Sequence, residues 1–362
     1  MRGQSKLFRR TVDGKAVFSK ISPSTRMVLQ EAERLGVVWS VIPFTNIFTL
    51  SYAGVTVNFH HQVPPQTTSL AELSCRDKRI TRNLIAHAGV RVNSGYVLLD
   101  SDGKHEMKAI FNALAKPIVV KPVNSAQGKN VHLEIHIFKQ FTRAISSIRR
   151  SSPSVHILAE EHFRGAEYRI LCNRERIISV IKRLPPQVIG DGERTVRELA
   201  LEKSRSHRQH SSPALKPLAL DKQTKMHLAT QGLTIESVPT RGQKVLFQDH
   251  TLQAINRGGE TVEVTDELHP SVWEIAMKTI EAIPGLAWAG IDFMCLDHRN
   301  QQTKNSYRII EVNASPSLDW QQYPAVGTGK NVVREFLRVV LPALEIRSQS
   351  GLSLADSTLL RA

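Results

Sequence analysis

The sequence contains few cysteines, few aromatic residues and no long apolar run. Its three cysteines, Cys75, Cys172 and Cys295, are scattered and lack the spacing of a zinc site or of a disulfide framework. No segment approaches the roughly 20 consecutive apolar residues that a membrane helix needs, and no apolar run follows the basic N-terminus to form a secretory signal. These absences favour a reduced cytoplasmic protein with buried thiols and without a membrane partner.

Acidic residues are also scarce, since 48 lysines and arginines stand against 33 aspartates and glutamates and give a net charge of +15. A charge of this sign is typical of proteins that bind nucleic acids, anionic membranes or small anions. The basic clusters, of which 202–210 is one, are not interleaved with aromatic residues, and no zinc-finger or basic-zipper spacing is present. We therefore expect no nucleic-acid partner and interpret the charge as a solvated basic surface.

The chain of 362 residues is long enough for two or three structural units. The segment 22–36 predicts a helix, with Ser22 or Ser24 as its cap and Gly36 at its end, and three short strands follow it. We assign residues 1–75 to an N-terminal α/β unit, of which the first 20 or so residues form a loose lead-in.

The rest of the chain predicts one larger unit, residues 76–345, and a polar tail, residues 346–362, that we expect to be disordered. A polar stretch at 204–216 predicts a mobile loop within the larger unit. The amphipathic segment 331–344 predicts a last helix, which is a candidate contact for a homo-oligomer.

Two late apolar segments predict neighbouring strands that carry carboxylates, Asp292 in the first and Glu311 in the second. Burial of these carboxylates is unfavourable unless a cation compensates for it. Since side chains alternate along a strand, Ile309, Glu311 and Asn313 should share one face. Carboxylate and amide oxygens suit Mg²⁺. We therefore predict a magnesium site at Asp292, Glu311 and Asn313, and the alternative is that each carboxylate pairs with a basic residue such as Arg308.

A second pattern joins an apolar strand that ends in Lys121 to a loop of small and polar residues, 124–130. Backbone N–H groups of such a loop can bind phosphate, and a lysine fixed on a strand adds a point charge. The Walker A pattern is absent, and an ordinary surface hairpin is the alternative. A later turn has Glu160 before it and Glu167 after it, which suits adenine and ribose binding, with a hairpin of solvated acids as the alternative.

These segments together resemble the ATP-grasp superfamily in order and spacing. The matching residues are Asp77, Lys78 and Thr81, followed by VVKP with the loop 124–130, by EEHFRGAEYR, and by Asp292 and EVN. More narrowly, the chain resembles the ATP-grasp part of cyanophycin synthetase and of the bifunctional glutathione synthetases, from about residue 28 to about residue 342. The resemblance implies an α+β ATP-grasp fold with an N-terminal α/β unit, a lid at roughly 110–160 and a C-terminal antiparallel-sheet subdomain that carries the metal site.

The resemblance also implies which residues hold the phosphates of ATP. Lys78 and Lys121 match the two lysines that contact them, one before the lid and one within it. The loop that contains Ser125, Gln127 and Gly128 matches the flap that closes over the β- and γ-phosphates.

Further roles follow from the same resemblance. Glu160 and His162 match the hinge that binds adenine, His162 through its backbone, and Glu167 matches the carboxylate that binds the ribose. Arg169 and Arg183 match catalytic arginines near the transferred phosphate or the substrate carboxylates. The three predicted magnesium ligands match those of the family, in which the glutamate bridges two ions.

The function that the resemblance implies is an ADP-forming ligase that uses ATP and Mg²⁺, with Mn²⁺ as an alternative metal. It would join a carboxylate, on an amino acid or a short peptide of glutathione-like or cyanophycin-like type, to an amine through an acyl phosphate. Two alternatives stay open, namely addition of amino acids to a protein or peptide terminus and a non-catalytic ATP-binding regulator. The chain departs from these relatives at Ala254, where they carry asparagine, and at Asn130, where glycine is usual.

Overall fold

The computed structural model describes residues 21–42, 45–123, 130–152, 156–212, 215–248 and 257–344. The helices in these ranges are α1 (Pro23–Arg34), α2 (Ser69–Arg76), α3 (Lys78–His87), α4 (Lys104–Ala113), α5 (Phe138–Ser151), α6 (Val196–Gln209), α7 (Lys222–Thr230), α8 (Pro270–Glu281), α9 (Asp319–Gln322) and α10 (Val332–Val340). None of these described helices combines the length and the apolar character that crossing a bilayer requires.

The strands of these described ranges form four sheets, and hydrogen-bonded neighbours in each sheet run antiparallel. The strands are β1 (Val38–Val41), β2 (Ile47–Tyr52), β3 (Val55–His60), β4 (Gly95–Leu98), β5 (Ile118–Pro122), β6 (His132–Ile135), β7 (Ile157–Glu161), β8 (Ala166–Asn173), β9 (Ile177–Leu184), β10 (Gln187–Ile189), β11 (Lys244–Leu246), β12 (Glu260–Glu263), β13 (Trp288–Cys295) and β14 (Tyr307–Asn313). The central sheet has the order β12-β9-β8-β13-β14. The other three are β4-β7-β5-β6, called the four-stranded sheet below, β1-β2-β3, and β10-β11.

The N-terminal elements form as the sequence predicts. The side chain of Ser22 accepts the backbone N–H of Thr25 and caps α1, and Gly36 takes a left-handed φ of 73° just past its end. Strands β1 to β3 then form two consecutive hairpins. The lead-in before residue 21 and the tail from residue 345 lie outside the described residues.

Helix α10 packs its apolar face inside the chain. Phe336 and Leu337 are buried in one hydrophobic core with Leu29 of α1, Phe48 of β2 and Trp288 of β13. The predicted last helix is therefore confirmed. Its apolar face is already covered by α1 and by the sheets, so it gives no support to a homo-oligomer.

One face of the central sheet is apolar and packs against α8. Ile170 of β8 and Ile291 of β13 lie in the same core as Ile280 of α8. That core also contains both Ile309 and Val312 of β14, so the predicted alternation along β14 is wrong. The register shifts opposite the Asp292–Phe293 step, and the extra residue on β14 is a β-bulge that reverses which side chains face the core.

The four-stranded sheet has a hydrophobic core of its own. Helices α4 and α5 cover it, with Phe111, Phe141 and Ile148 buried against Ile118 and Val120 of β5. Helix α5 lies between β6 and β7 and was not anticipated from the sequence. Strands β5 and β6 and helix α5 fall within the segment of roughly 110–160 that the resemblance assigns to the lid, whereas β4 and most of α4 precede it.

The predicted loop at 204–216 is wrong for its first part, because residues up to Gln209 belong to α6. Thr195 and Glu198 form a capping box that starts this helix. Its polar end stays helical because His207 is buried, with Nε2 3.1 Å from Oε1 of Glu260 and Nδ1 2.7 Å from the carbonyl oxygen of Lys216. The cysteines are buried, as expected, and burial raises the pKa of each thiol to about 12.

Candidate active site

Charged side chains gather on the face of the central sheet that α8 does not cover. The register places Asp292 of β13 directly opposite Arg169 of β8 on one side and Glu311 of β14 on the other. It also places Glu167 of β8 opposite Arg183 of β9. Because Glu167 and Arg169 are two residues apart on one strand, both pairs share a face.

Asp292 is bound by two arginines. Its Oδ1 accepts from Nε of Arg169 at 2.5 Å and lies 3.5 Å from Nη1 of Arg183. Asp292 is only 5% exposed. Burial alone would raise the pKa of Asp292, but the two guanidinium groups outweigh burial and hold the pKa below its ordinary value. The carboxylate is therefore ionised in this site.

Arg183 lies close to three side chains, those of Glu167, Asp292 and Trp320. Its Nη1 donates to Oε1 of Glu167 at 2.5 Å, and its guanidinium carbon lies 5.1 Å from the centre of the Trp320 ring. Burial raises the pKa of Glu167 to about 7, and nearby Asp292 adds to that rise while Arg183 opposes it. Glu167 and Asp292 therefore compete for the positive charge of Arg183.

The segment after β14 turns back over this face. Gly290 of β13 makes the crossing feasible, because a Cβ atom there would lie 2.4 Å from Cβ of Pro316 and 3.0 Å from Nη1 of Arg169. The segment then reaches α9, whose Trp320 contacts Arg183 on the far side of the site. Residues 314–320 thus form a wall above the charged groups.

Lys78 approaches the same face from α3. Asp77 caps α3 by accepting the backbone N–H of Arg79, and the hydroxyl of Thr81 donates to the carbonyl oxygen of Ser74 at 2.5 Å. These contacts fix the start of the helix, where Nζ of Lys78 lies 3.5 Å from Oε2 of Glu311. Asp77 and Thr81 of this motif therefore hold the start of the helix that carries Lys78.

The predicted metal ligands come together, but their carboxylates also have cationic neighbours. Asp292 and Glu311 are adjacent across the strands, and Asn313 follows on the face of Glu311, opposite Gly290. Each carboxylate also pairs with a basic residue, as the alternative predicted. The partners are Arg169 for Asp292 and Lys78 for Glu311, and not Arg308. Two carboxylates and an amide remain a hard-oxygen set that fits Mg²⁺, because each carboxylate has a second oxygen.

A second buried cluster surrounds Glu160 on β7. One carboxylate oxygen, Oε1, lies 2.5 Å from Nζ of Lys121 on β5, and the other, Oε2, pairs with Nη2 of Arg82 on α3. Asn93 approaches Oε1 at 3.5 Å. The charge of Lys78 acts on Lys121 here and also on Asp292, so Lys78 is close to both clusters.

The hinge groups predicted for adenine already have partners within the protein. The Glu160 carboxylate is 1% exposed and faces the lysine cluster. The backbone N–H of His162 donates to the carbonyl oxygen of Pro117 at 3.0 Å, and its ring Nδ1 lies 2.9 Å from Oε1 of Glu134. Their contact with adenine stays a prediction, as does the ribose role of Glu167.

Some predicted residues cannot be compared with the structure. Ser125, Gln127, Gly128 and Ala254 lie outside the described residues. Asn130 is described and has a left-handed φ of 56°, which glycine adopts freely and asparagine tolerates better than most residues. This backbone geometry accounts for a glycine at that position in relatives.

Two residues of the site were missed by sequence reasoning. Arg82 could have been found, since it follows Lys78 by four residues and one helical turn places both side chains on the same face of α3. Trp320 carried no such signal, because its contact with Arg183 depends on how the segment after β14 crosses the sheet.

A solved structure shares this architecture. The crystal structure of a bifunctional glutathione synthetase from Pasteurella multocida superimposes with a TM-score of 0.68 at 22% sequence identity, over 88% of this chain and 43% of that one. The chain has the ATP-grasp fold.

Curated relatives are similar over nearly the whole chain. Cyanophycin synthetase from Nostoc sp. is 29% identical over 337 residues, which cover 92% of this chain and 36% of the relative. The glutathione biosynthesis bifunctional protein GshAB from Clostridium perfringens is 27% identical over 333 residues, which cover 88% of this chain and 41% of the relative. The resemblance drawn from the motifs is confirmed. The chain spans well under half the length of these relatives, and no protein-family profile matches it.

Proposed function

We propose that this chain is an ATP- and Mg²⁺-dependent ligase that forms an amide bond between a carboxylate and an amine. The observation that carries the proposal is the row of Glu311, Asp292 and Arg169 on one face of an ATP-grasp sheet, with Lys78 and Arg183 beside it. The likeness to two kinds of amide-forming synthetase over about nine-tenths of the chain supports it.

The same row fits the metal that the proposal requires. Asp292, Glu311 and Asn313 would hold Mg²⁺, which when bound supplies positive charge next to the phosphate oxygens. The burial of Asp292 and its ionised state support this assignment, since a buried anionic oxygen is a strong ligand for a hard cation.

The chemistry follows from the charges of the site. A carboxylate oxygen of the acid substrate attacks the γ-phosphorus, and the bond from that phosphorus to the bridging oxygen of ADP breaks. The amine nitrogen then attacks the acyl carbon, phosphate leaves, and the nitrogen loses a proton. Because an anion attacks an anion in the first step, Lys78, Arg169 and Arg183 lower the barrier by facing the developing negative charge.

The proposal extends to the other parts of the chain. We assign residues 110–160, roughly, to the lid that keeps water from the acyl phosphate, and β5, β6 and α5 belong to that segment. The acid substrate is an amino acid or a short peptide of glutathione-like or cyanophycin-like type, and the enzyme acts in the cytoplasm.

The test is phosphate release from ATP and Mg²⁺ with pairs of amino acids and short γ- or β-linked peptides, followed by mass spectrometry of the product. We expect one acid–amine pair to stimulate release and to yield ADP and the amide. Glu311→Ala and Lys121→Ala should abolish release, whereas Arg299→Gln, at an exposed ion pair with Asp297, should retain it. Phosphate release that persists in both site variants contradicts the assignment of the site residues. Mg²⁺-dependent ATP binding without stimulation of phosphate release by any pair favours the alternative of a non-catalytic ATP-binding regulator.

A further inference from the structure

The ion cluster around Glu160 joins two separately packed parts of the chain. Glu160 and Lys121 lie on β7 and β5 of the four-stranded sheet, which has its own hydrophobic core. Arg82 lies on α3, whose Ile85 is buried in the core of the central sheet. The pair between Arg82 and Glu160 is therefore a buried contact between the two parts.

The position of Arg82 on α3 relates this contact to Lys78. The two residues are one helical turn apart, so a group that fixes Arg82 also fixes the start of the helix and Lys78. Glu160 binds Arg82 with one oxygen and Lys121 with the other. A single carboxylate thus links the helix that carries Lys78 to the strand that carries Lys121.

The burial of the cluster gives the carboxylate a second effect. The side chains of Arg82, Glu160 and Lys121 are only 11%, 2% and 9% exposed. Burial lowers the pKa of Lys121, and the charges of Arg82 and Lys78 lower it further. The charge of Glu160 raises it. Burial would raise the pKa of Glu160, but Arg82 and Lys121 together bring it down to about 2, so the glutamate is ionised throughout the neutral range.

We propose that Glu160 and Arg82 are positioning residues, which hold Lys121 at a fixed separation from Lys78 so that the two lysines bind one polyphosphate chain. The ligand class is a nucleoside di- or triphosphate, and this part rests on the proposed function. The carboxylate of Glu160 accordingly acts on phosphate binding through Lys121.

The test compares three probes, ATP, ADP and adenosine, by calorimetric titration at fixed salt with the full-length protein. In Arg82→Gln, Lys121 keeps Glu160 but the link to α3 is lost. We expect the affinity for ATP and for ADP to fall about tenfold or more, since a charge-assisted contact is removed, while the affinity for adenosine changes less than about twofold. Arg82→Lys should recover part of the loss, because the charge remains.

Glu160→Gln gives a second readout, which a purely structural role would not change. Without the carboxylate, Lys121 faces only the cations Arg82 and Lys78 and loses its proton more readily. ADP affinity should therefore fall more steeply in this variant than in the wild type as the pH rises from 6 to 9. Arg76→Gln, which removes an exposed pair with Glu72 within α2, is the matched control and should bind all three probes as the wild type does.

Two results would overturn the inference. One is an equal loss of adenosine and ADP affinity in Glu160→Gln, which would place the glutamate at the adenine. The other is unchanged ADP affinity in a folded Arg82→Gln protein. A wild-type protein that binds ADP but forms no amide contradicts only the ligase activity, whereas one that binds no nucleotide contradicts both proposals.

Discussion

Arg169 donates from Nε to Oδ1 of Asp292 at 2.5 Å, across the neighbouring strands β8 and β13. The same carboxylate is a predicted magnesium ligand, so the protein gives it an arginine partner before any metal binds. A carboxylate accepts several contacts through its two oxygens, so the contact of Arg169 with Oδ1 is compatible with the predicted metal role. Arg169 therefore orients Asp292 and keeps it ionised.

The first prediction concerns the charge of Asp292. Asp292→Asn keeps the shape of the side chain but removes the negative charge that a metal requires. We expect ATP turnover to fall about 100-fold and the Mg²⁺ concentration for half-maximal turnover to rise, as is typical when a metal site loses a contact. Phosphate release measured across a Mg²⁺ titration checks this.

The matched control is Asp297→Asn, which removes a carboxylate that pairs with exposed Arg299. It should leave the Mg²⁺ dependence as it is in the wild type. An Asp292→Asn protein with normal Mg²⁺ dependence would show that Asp292 serves only to pair with its arginines.

The second prediction concerns Trp320, whose ring lies 5.1 Å from the guanidinium carbon of Arg183. Trp320→Phe retains an aromatic face for the cation, and Trp320→Leu does not. Since a cation–π contact contributes about 0.5–2 kcal/mol, we expect Trp320→Leu to raise the KM for the acid substrate roughly three- to thirtyfold. Trp320→Phe should have a smaller effect in the same direction.

The comparison that checks this is the KM for the acid against the KM for ATP, with Arg183→Ala measured alongside. Arg183→Ala should raise the KM for the acid at least as much as Trp320→Leu does. A defect confined to the KM for ATP would place Arg183 and Trp320 on the nucleotide side of the site.

The sequence predicted the candidate site where a charged residue stands among apolar neighbours. Asp292 and Glu311 stand in apolar strands, and a charge in such a strand needs a compensating group, so the pattern predicts a site. The strands themselves were predictable from β-branched runs, and α1 from Ser22 and Gly36. These signals are local, because they depend only on neighbours along the chain.

The features that were missed depend on packing between distant segments. The pair between Arg82 and Glu160 exists because α3 lies beside the four-stranded sheet, and neighbours along the chain do not reveal that contact. The bulge on β14 depends on the register with β13. The end of α6 is polar, and it is helical because His207 binds Glu260 on β12.

The third prediction concerns the close approach at Gly290. Gly290→Ala would place a methyl group 2.4 Å from Cβ of Pro316, which is closer than carbon atoms can approach. Because the wall above the site would have to move, we expect the free energy of unfolding to fall by about 1–3 kcal/mol and ligase turnover to fall with it. Thermal unfolding and phosphate release measure the two effects.

Gly103→Ala is the matched control for this substitution. The added methyl group would meet only the mobile carboxylate end of Glu106, at 3.1 Å from Oε2. Its stability should fall by less than about 1 kcal/mol, the small cost of replacing glycine by alanine at the N-cap of α4. Equal stability of the Gly290→Ala and Gly103→Ala proteins would contradict the role given to Gly290.

The fourth prediction concerns Asp319, the first residue of α9. Its side chain is buried near Ser24 of α1, and burial raises its pKa from 3.8 to about 6. The folded state therefore keeps a proton on Asp319 at pH values where the unfolded state has lost it. The stability from that proton is fully present below about pH 4 and is lost as the pH rises through about 6.

Asp319→Asn removes this titration, because the amide is neutral at every pH. At pH 7 and above we expect the variant to be more stable than the wild type by up to about 3 kcal/mol, since the shift of roughly two pKa units corresponds to that free energy. Near pH 4 the two proteins should be equally stable. Urea unfolding of both proteins at pH 4, 6 and 8 checks this, with exposed Asp100→Asn as the control. A stability difference that stays constant across this range would show that Asp319 is ionised in the folded protein as it is in the unfolded one.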